Sequence, residues 1–204
     1  MSLQMATPPL LLASASTARR AVLEAAGLRF TAEAAHIDEA AIKQAAKAEG
    51  LKADETALIL SEMKAQRLSR RYPDALVIGC DQLLVCEGQW FDKPADLAAA
   101  SAQLTALRGK THVLETALVC MRNEQILWHH VARPKLAMRP FSDEFLAAYL
   151  ALEGEAVLSS VGAYRLEGLG VQLFDTITGE HSAILGLPLL PLLGFLRQNG
   201  VLLA

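Results

Sequence analysis

Apolar residues along this chain fall into two spacings, short continuous or alternating runs and longer runs near a 3.6-residue period, and the switches between them mark the elements. "PLLLAS" (9–14) is a continuous apolar run and predicts a short buried strand. It passes through "SAST" straight into "ARRAVLEAAG", a helical pattern with Gly27 where a helix-terminating glycine belongs. "LRFTAEAAH" predicts a second strand, followed by helical sequence rich in Ala, Lys and Glu. "DETALILSEMKAQRLSRRYP" predicts a longer helix, with Asp54 as N-cap and Pro73 as its stop. "ALVIGCDQLLVC" predicts a strand, with "EG" as a hairpin turn into "QWFDK". Pro94 is expected to open the helix "PADLAAASAQLTALRG", which Gly109 ends.

"THVLETALVCM" and "QILWHHVARPKLAM" predict two strands joined by a turn at "RNE". "SDEFLAAYLAL" predicts a helix capped by Ser142. Glycine-rich "GAYRLEGLG" then leads to a strand "VQLFDTI", a "TGE" turn and a final helix from Pro188. Helices and strands that alternate, with one hairpin-rich stretch, predict a layered α/β protein with a mixed sheet. No repeat, low-complexity tract or linker divides the chain. One domain over residues 5–204 is expected, as one body or as two lobes sharing a site. "MSLQ" (1–4) is expected to be an appended remnant, with Met5 the natural start.

Composition narrows the class. Of 204 residues, 52% are apolar and 20% charged, which places the chain among globular proteins. A net charge of −3 gives no electrostatic reason to expect duplex nucleic acid as a partner. Three cysteines without metal-type spacing read as buried free thiols in a reducing, cytoplasmic compartment. The most apolar stretch, "AILGLPLLPLLGFL", is broken by Pro188 and Pro191 and is too short for a membrane span.

Four places carry candidate chemistry. In "LLLASASTARR" a strand ends in small hydroxyl residues and a helix begins with two arginines in its first turn. Free N–H groups and the helix dipole make such a corner an anion site, with Ser14, Ser16 and Arg19 as further donors; the alternative is an ordinary cap with solvated arginines. Asp38 and Glu39 precede a helix as caps, or serve as ligands for a hard cation. Lys64 shares an apolar helix stripe with Leu60 and Leu68, so it either snorkels outward or reaches an internal anion. Asp81 sits inside an apolar strand, where a carboxylate needs a cation, a proton or a donor network. "FDKPAD" places Lys93 before Pro94 and a helix start, as a partner for Asp81 or a second phosphate position. His112, His129, His130 and His181 have no ligand spacing and read as surface or satisfied core residues.

Taken in order, these segments resemble the Maf family of nucleoside triphosphate pyrophosphatases. "LLLASASTARRAVLEAAGL" is similar to that family's Ser-x-Ser-x-x-Arg opening, "HIDE" to its acidic element, and "LSEMKAQRL" to its lysine-bearing helix. "VIGCDQLLV" resembles its Gly-x-Asp strand, "FDKPAD" its Lys-Pro step, and "GAYRLEGLGVQLFDTITGEHSAILGLPL" its C-terminal signature. The resemblance implies an elongated mixed sheet flanked by helices, two lobes around a cleft, and a homodimer in many members. It implies cleavage between the α- and β-phosphates of a nucleoside triphosphate, with a divalent cation, Mg²⁺ or Mn²⁺. On the same footing, Asp81 becomes the proton acceptor and a metal ligand together with Glu39. Ser14, Ser16, Arg19, Lys64 and Lys93 become phosphate contacts.

Base choice in that family is associated with the residue after the aspartate and the residue before a later glycine. Here these are Gln82 and Glu167, a pairing that resembles the branch acting on 7-methyl-GTP. One carboxylate can accept both N1–H and N2–H of guanine, and the positive charge of an N7-methylated base favours it further. Ala18 stands where relatives carry a large aromatic residue or an arginine bearing on base choice, so no stacking partner is supplied there. The other readings are a dTTP/UTP pyrophosphatase, and a septum-formation inhibitor that binds nucleotide as a regulator.

Overall fold

The computed structural model describes residues 3–203. Its strands are Leu10–Ala13 (β1), Phe30–Ala32 (β2), Leu76–Cys86 (β3), Gln89–Phe91 (β4), Thr111–Arg122 (β5), Gln125–Ala132 (β6), Lys135–Met138 (β7) and Phe174–Thr178 (β8). The helices are Thr17–Ala25 (α1), Glu39–Ala48 (α2), Ala53–Arg71 (α3), Leu97–Leu107 (α4), Asp143–Glu153 (α5), His181–Ile184 (α6) and Leu189–Gln198 (α7). The strands form one open mixed sheet in the order β2-β1-β3-β5-β7-β8, with β4 paired to β3 and β6 to β5. The chain divides into two compact units, Met1–Gln82 with Thr116–Ala132 and Glu180–Ala204, and Leu83–Glu115 with Arg133–Gly179.

In the first unit, β1 runs parallel to β2 on one side and to β3 on the other, with Ala13 opposite Gly79. Alternate residues of these strands feed two separate cores, as a period of two requires. Leu10, Leu12, Ile78 and Cys80 pack with Val22 and Leu23 of α1 and with Leu192 and Phe195 of α7. Leu11, Ala13 and Val77 pack on the other face with Ala65 and Leu68 of α3. The chain therefore leaves β1 through α1 over one face to reach β2, then returns by α3 over the opposite face to β3 on β1's other side. Strand order reverses at β1, and in sheets of this kind ligands bind beyond the carboxyl ends of the strands at such a reversal.

The second unit carries α4, α5 and the 3-10 turns between Gly154 and Leu173. His112 is fully buried there, its Nε2 2.7 Å from Tyr164 Oη. Arg108 lies over the Phe141 ring and pairs with Asp143 at 2.7 Å.

Several expected boundaries move. Helix α3 starts at Ala53, with Lys52 at the N-cap position and its N–H donated to Glu55 Oε2 at 2.8 Å; Asp54 is a first-turn residue, not the cap. Helix α4 starts at Leu97 because Asp96 Oδ1 accepts the Ala99 N–H at 2.7 Å, leaving Pro94 in the preceding loop. The run 125–138 is two strands interrupted at Arg133-Pro134, since proline cannot continue the ladder. Only Phe174–Thr178 of the last expected strand is extended; Leu169–Leu173 forms a 3-10 turn. Met1 and Ser2 of the expected remnant lie outside the described residues, whereas Gln4 is tied to Arg29 by its side-chain amide at 2.7 and 2.8 Å. No described helix is long and apolar enough to cross a membrane.

Candidate active site

Asp81 is buried, and its Oδ1 lies 2.6 Å from Lys64 Nζ. The same ammonium lies 2.7 Å from Glu39 Oε1. Lys64 is itself buried, so of its two alternatives the structure shows the internal anion and not the outward snorkel. Glycine makes the reach possible. Gly79 and Asp81 share a face of β3, and a Cβ on Gly79 would overlap the Ser61 carbonyl oxygen of α3. Helix α3 thus lies against the strand one turn before Lys64. The second Asp81 oxygen, Oδ2, is buried and has no partner among the described residues.

Asp38 and Glu39 divide the two roles open to them. Asp38 Oδ1 caps α2 by accepting the Ala41 N–H at 3.0 Å, and Glu39 turns to Lys64. Burial pushes the Glu39 carboxyl up, but the Lys64 charge and hydrogen bond, with Lys43 and Arg19 behind them, hold it below its ordinary value.

Ser14, Ser16 and Arg19 form the corner expected after β1. Ser16 caps α1, its Oγ accepting the Arg19 N–H at 3.4 Å. Ser14 is buried, and its Oγ accepts from Ser16 N at 3.2 Å and from Arg19 Nη1 at 3.2 Å. Arg19 also donates from Nη1 to Cys80 O at 2.9 Å and from Nε to Gly186 O at 2.8 Å. Nη2 has no hydrogen-bond partner among the described residues and is not enclosed. Cys80 joins the two clusters: burial pushes its thiol up to about 11 despite the nearby charges of Arg19 and Lys64.

Gln82 lies on the opposite face of β3 from Asp81, where its Nε2 donates to Thr116 Oγ1 at 2.8 Å and to Ala183 O at 3.0 Å. Ala18 is half-buried in the first turn of α1. The first unit therefore gathers Ser14, Ser16, Arg19, Glu39, Lys64 and Asp81. Lys93 and Glu167 belong to the second unit. Lys93 is exposed before Pro94, and Glu167 is exposed with Arg165 Nε 3.6 Å away. A groove of about 310 Å³ lined by Pro9, Thr31, Glu33 and Tyr72 contains none of these residues and lies at the amino-terminal ends of β1 and β3.

The sequence profile described as "Maf-like protein" matches residues 9–199. The chain belongs to the Maf family. Among curated relatives, the nucleoside triphosphate pyrophosphatase of Granulibacter bethesdensis is 58% identical over 193 residues, 95% of this chain and 98% of that protein. That of Rhodospirillum rubrum is 55% identical, covering 97% of this chain and 98% of its own. The 7-methyl-GTP pyrophosphatase of Rhizobium johnstonii is 50% identical, covering 96% and 98%.

Within this Maf protein the residues fit a hard divalent cation. Asp81 Oδ2 is a buried acceptor without a partner, and Glu39 is a half-exposed carboxylate on the same ammonium. No group of three or more metal-ligating side chains occurs among the described residues. Two carboxylates are a donor set that a hard divalent cation accepts, its other positions going to water and substrate phosphates. The sequence pattern did not single out Gly186 or Thr116; their signals were a glycine before the Leu-Pro step and a lone hydroxyl in the apolar run "TALVC".

Proposed function

We propose that this Maf protein hydrolyses 7-methyl-GTP to 7-methyl-GMP and diphosphate, within a nucleoside triphosphate pyrophosphatase activity that its named relatives share. The observation that carries the reading is the buried Asp81, one oxygen on Lys64 and the other without a partner, beside a serine and arginine corner at a strand-order reversal. A buried carboxylate with one open oxygen can take a proton from a water molecule. That water's oxygen attacks the α-phosphorus, the bond to the bridging oxygen breaks, and diphosphate leaves with the electron pair. Asp81 acts as the general base, for which about 10²–10⁴-fold in rate is typical.

Ser14 and Ser16 retain hydroxyl protons to donate to phosphate oxygens, and Arg19 offers Nη2. Lys64 and Lys93 supply the remaining positive charge along the triphosphate. Asp81 and Glu39 would hold the divalent cation, Mg²⁺ or Mn²⁺, which when bound offsets charge developing on the phosphate oxygens. Gln82, Glu167 and Ala18 bear on the base. The exposed Glu167 carboxylate suits the N1–H and N2–H pair of guanine, and a methylated N7 adds a positive charge in its favour. The name of the Rhizobium johnstonii relative supports the same base.

The test is diphosphate release over 7-methyl-GTP, GTP, dTTP and UTP with Mg²⁺, in the wild type and in Asp81→Asn. Fastest turnover on 7-methyl-GTP is expected, with hydrolysis lost in Asp81→Asn while nucleotide still binds. Equal turnover across the panel overturns the base, and undiminished turnover in the variant overturns Asp81 as the base catalyst.

A further inference from the structure

Thr116 is fully buried on β5, among residues that pack on the Gln82 face of the sheet. Its Oγ1 accepts from Gln82 Nε2 at 2.8 Å and donates to Ala183 O at 3.0 Å. Gln82 Nε2 also reaches Ala183 O at 3.0 Å and Ile184 O at 3.1 Å. Two N–H protons thus serve three acceptors. Carbonyl oxygens can only accept, so the nitrogen end of the Gln82 amide must point inward. Its Oε1 is left without a partner among the described residues and is not enclosed.

Two residues beyond Ile184, Gly186 O accepts the Arg19 Nε proton at 2.8 Å. Gly186 has φ +93°, and a Cβ there would lie 2.9 Å from Arg19 Nε. The segment 183–186 is therefore held from one end by Thr116 and Gln82 and from the other by Arg19. A buried hydroxyl that both accepts and donates is the hub of this arrangement. Replacing it by a methyl removes the hydroxyl tie between β5 and the Ala183 carbonyl and sets an apolar group against the Gln82 amide nitrogen. Segment 183–186 then loses one of its anchors to the sheet and has reason to shift.

We propose that Thr116 is a positioning residue for nucleotide binding. By fixing segment 183–186 and the polarity of the Gln82 amide, it sets where Arg19 presents Nη2 and turns a carbonyl acceptor, not an amide donor, outward from Gln82. This rests on the nucleotide reading above. Thr116 touches none of Asp81, Lys64 and Glu39, which lie on the other face of the sheet. Its loss should therefore weaken binding of ground state and transition state alike, raising KM and sparing kcat.

The experiment compares Thr116→Val and Thr116→Ser with the wild type, by diphosphate release from 7-methyl-GTP with Mg²⁺ and by amide hydrogen exchange of 183–187 in the nucleotide-free protein. Thr116→Val is expected to raise KM by about tenfold, one factor of ten being what a lost hydrogen bond commonly costs, with kcat within about twofold. Exchange at 183–187 should quicken, and Thr116→Ser should restore both. An unchanged KM, a fall in kcat alone, or a serine variant no better than valine overturns the proposal. If valine does not fold, Thr116→Ala replaces it; failure of both to fold makes Thr116 a folding residue and likewise overturns it. A wild type inactive on every triphosphate overturns the nucleotide reading instead, and the exchange comparison still shows whether Thr116 holds the segment.

Discussion

The Gly79 backbone and the Ser61 carbonyl approach more closely than any side chain at position 79 would allow. Ala65 N and Cβ lie 3.0 Å from the same point, so α3 has no room to yield locally. Gly79→Ala should push α3 off β3 and separate Lys64 from Asp81. A loss of about 1–3 kcal/mol is expected, as for other overpacked cores, together with loss of hydrolysis. Urea denaturation and diphosphate release measure the two effects; a fully stable, active alanine variant would contradict the packing.

Lys64 and Asp81 should show strong coupling. Lys64→Met strands a buried carboxylate and is expected to cost about 3–5 kcal/mol. Adding Asp81→Asn to it should recover much of that loss without recovering hydrolysis. A double-mutant cycle followed by denaturation checks this, and additive effects would argue against the pair.

Glu39 is half-exposed, so Glu39→Gln should change stability by no more than about 1 kcal/mol. Its effect belongs to the cation: the Mg²⁺ concentration for half-maximal rate should rise about tenfold or more, read from a metal titration. Because the folded carboxyl is held below its ordinary value, its ion pair is fully present above the usual glutamate range. That contribution fades as pH falls through the lowered value, and the glutamine variant should not show this acid loss.

His112 gives the second unit an acid-sensitive core. Burial pushes its imidazole down to about 4 from 6.5. Below pH 6.5 the unfolded chain takes up a proton that the folded chain refuses, so stability is full above 6.5 and falls as pH drops toward 4. The shift corresponds to about 3 kcal/mol across that window. Denaturation of the wild type and of His112→Gln at pH 7.5, 5.5 and 4.5 should show a shallower pH slope in the variant; parallel curves would exclude His112 as the source.

Much of the site was legible along the chain because its parts are local. A strand running into hydroxyl residues and a capped helix, as at Ser14 to Arg19, needs only adjacent residues to define it. The Gly79 and Asp81 pair is equally local, since two residues on one strand share a face. Helix starts were less legible, because candidate starting residues lie within three positions of each other: Glu55, not Asp54, meets the Lys52 N–H, and the Asp96 cap starts α4 after Pro94. The last strand was misread at its start because apolar content at 171–173 fits a 3-10 turn as well as a strand.

The alternation of elements, the carboxylate inside an apolar strand and the cations available to meet it follow from periodicity and composition, which are properties of the chain. Packing of distant elements set the rest: Lys64 turns inward to Asp81, Glu39 pairs with that lysine while Asp38 caps, and Asp81 and Gln82, on opposite faces of one strand, meet different partners. The partners of Lys64 and Gln82 lie 17 to 102 positions away along the chain. Which distant acceptor a side chain meets is fixed by how helices pack on the sheet, and no local pattern carries that information.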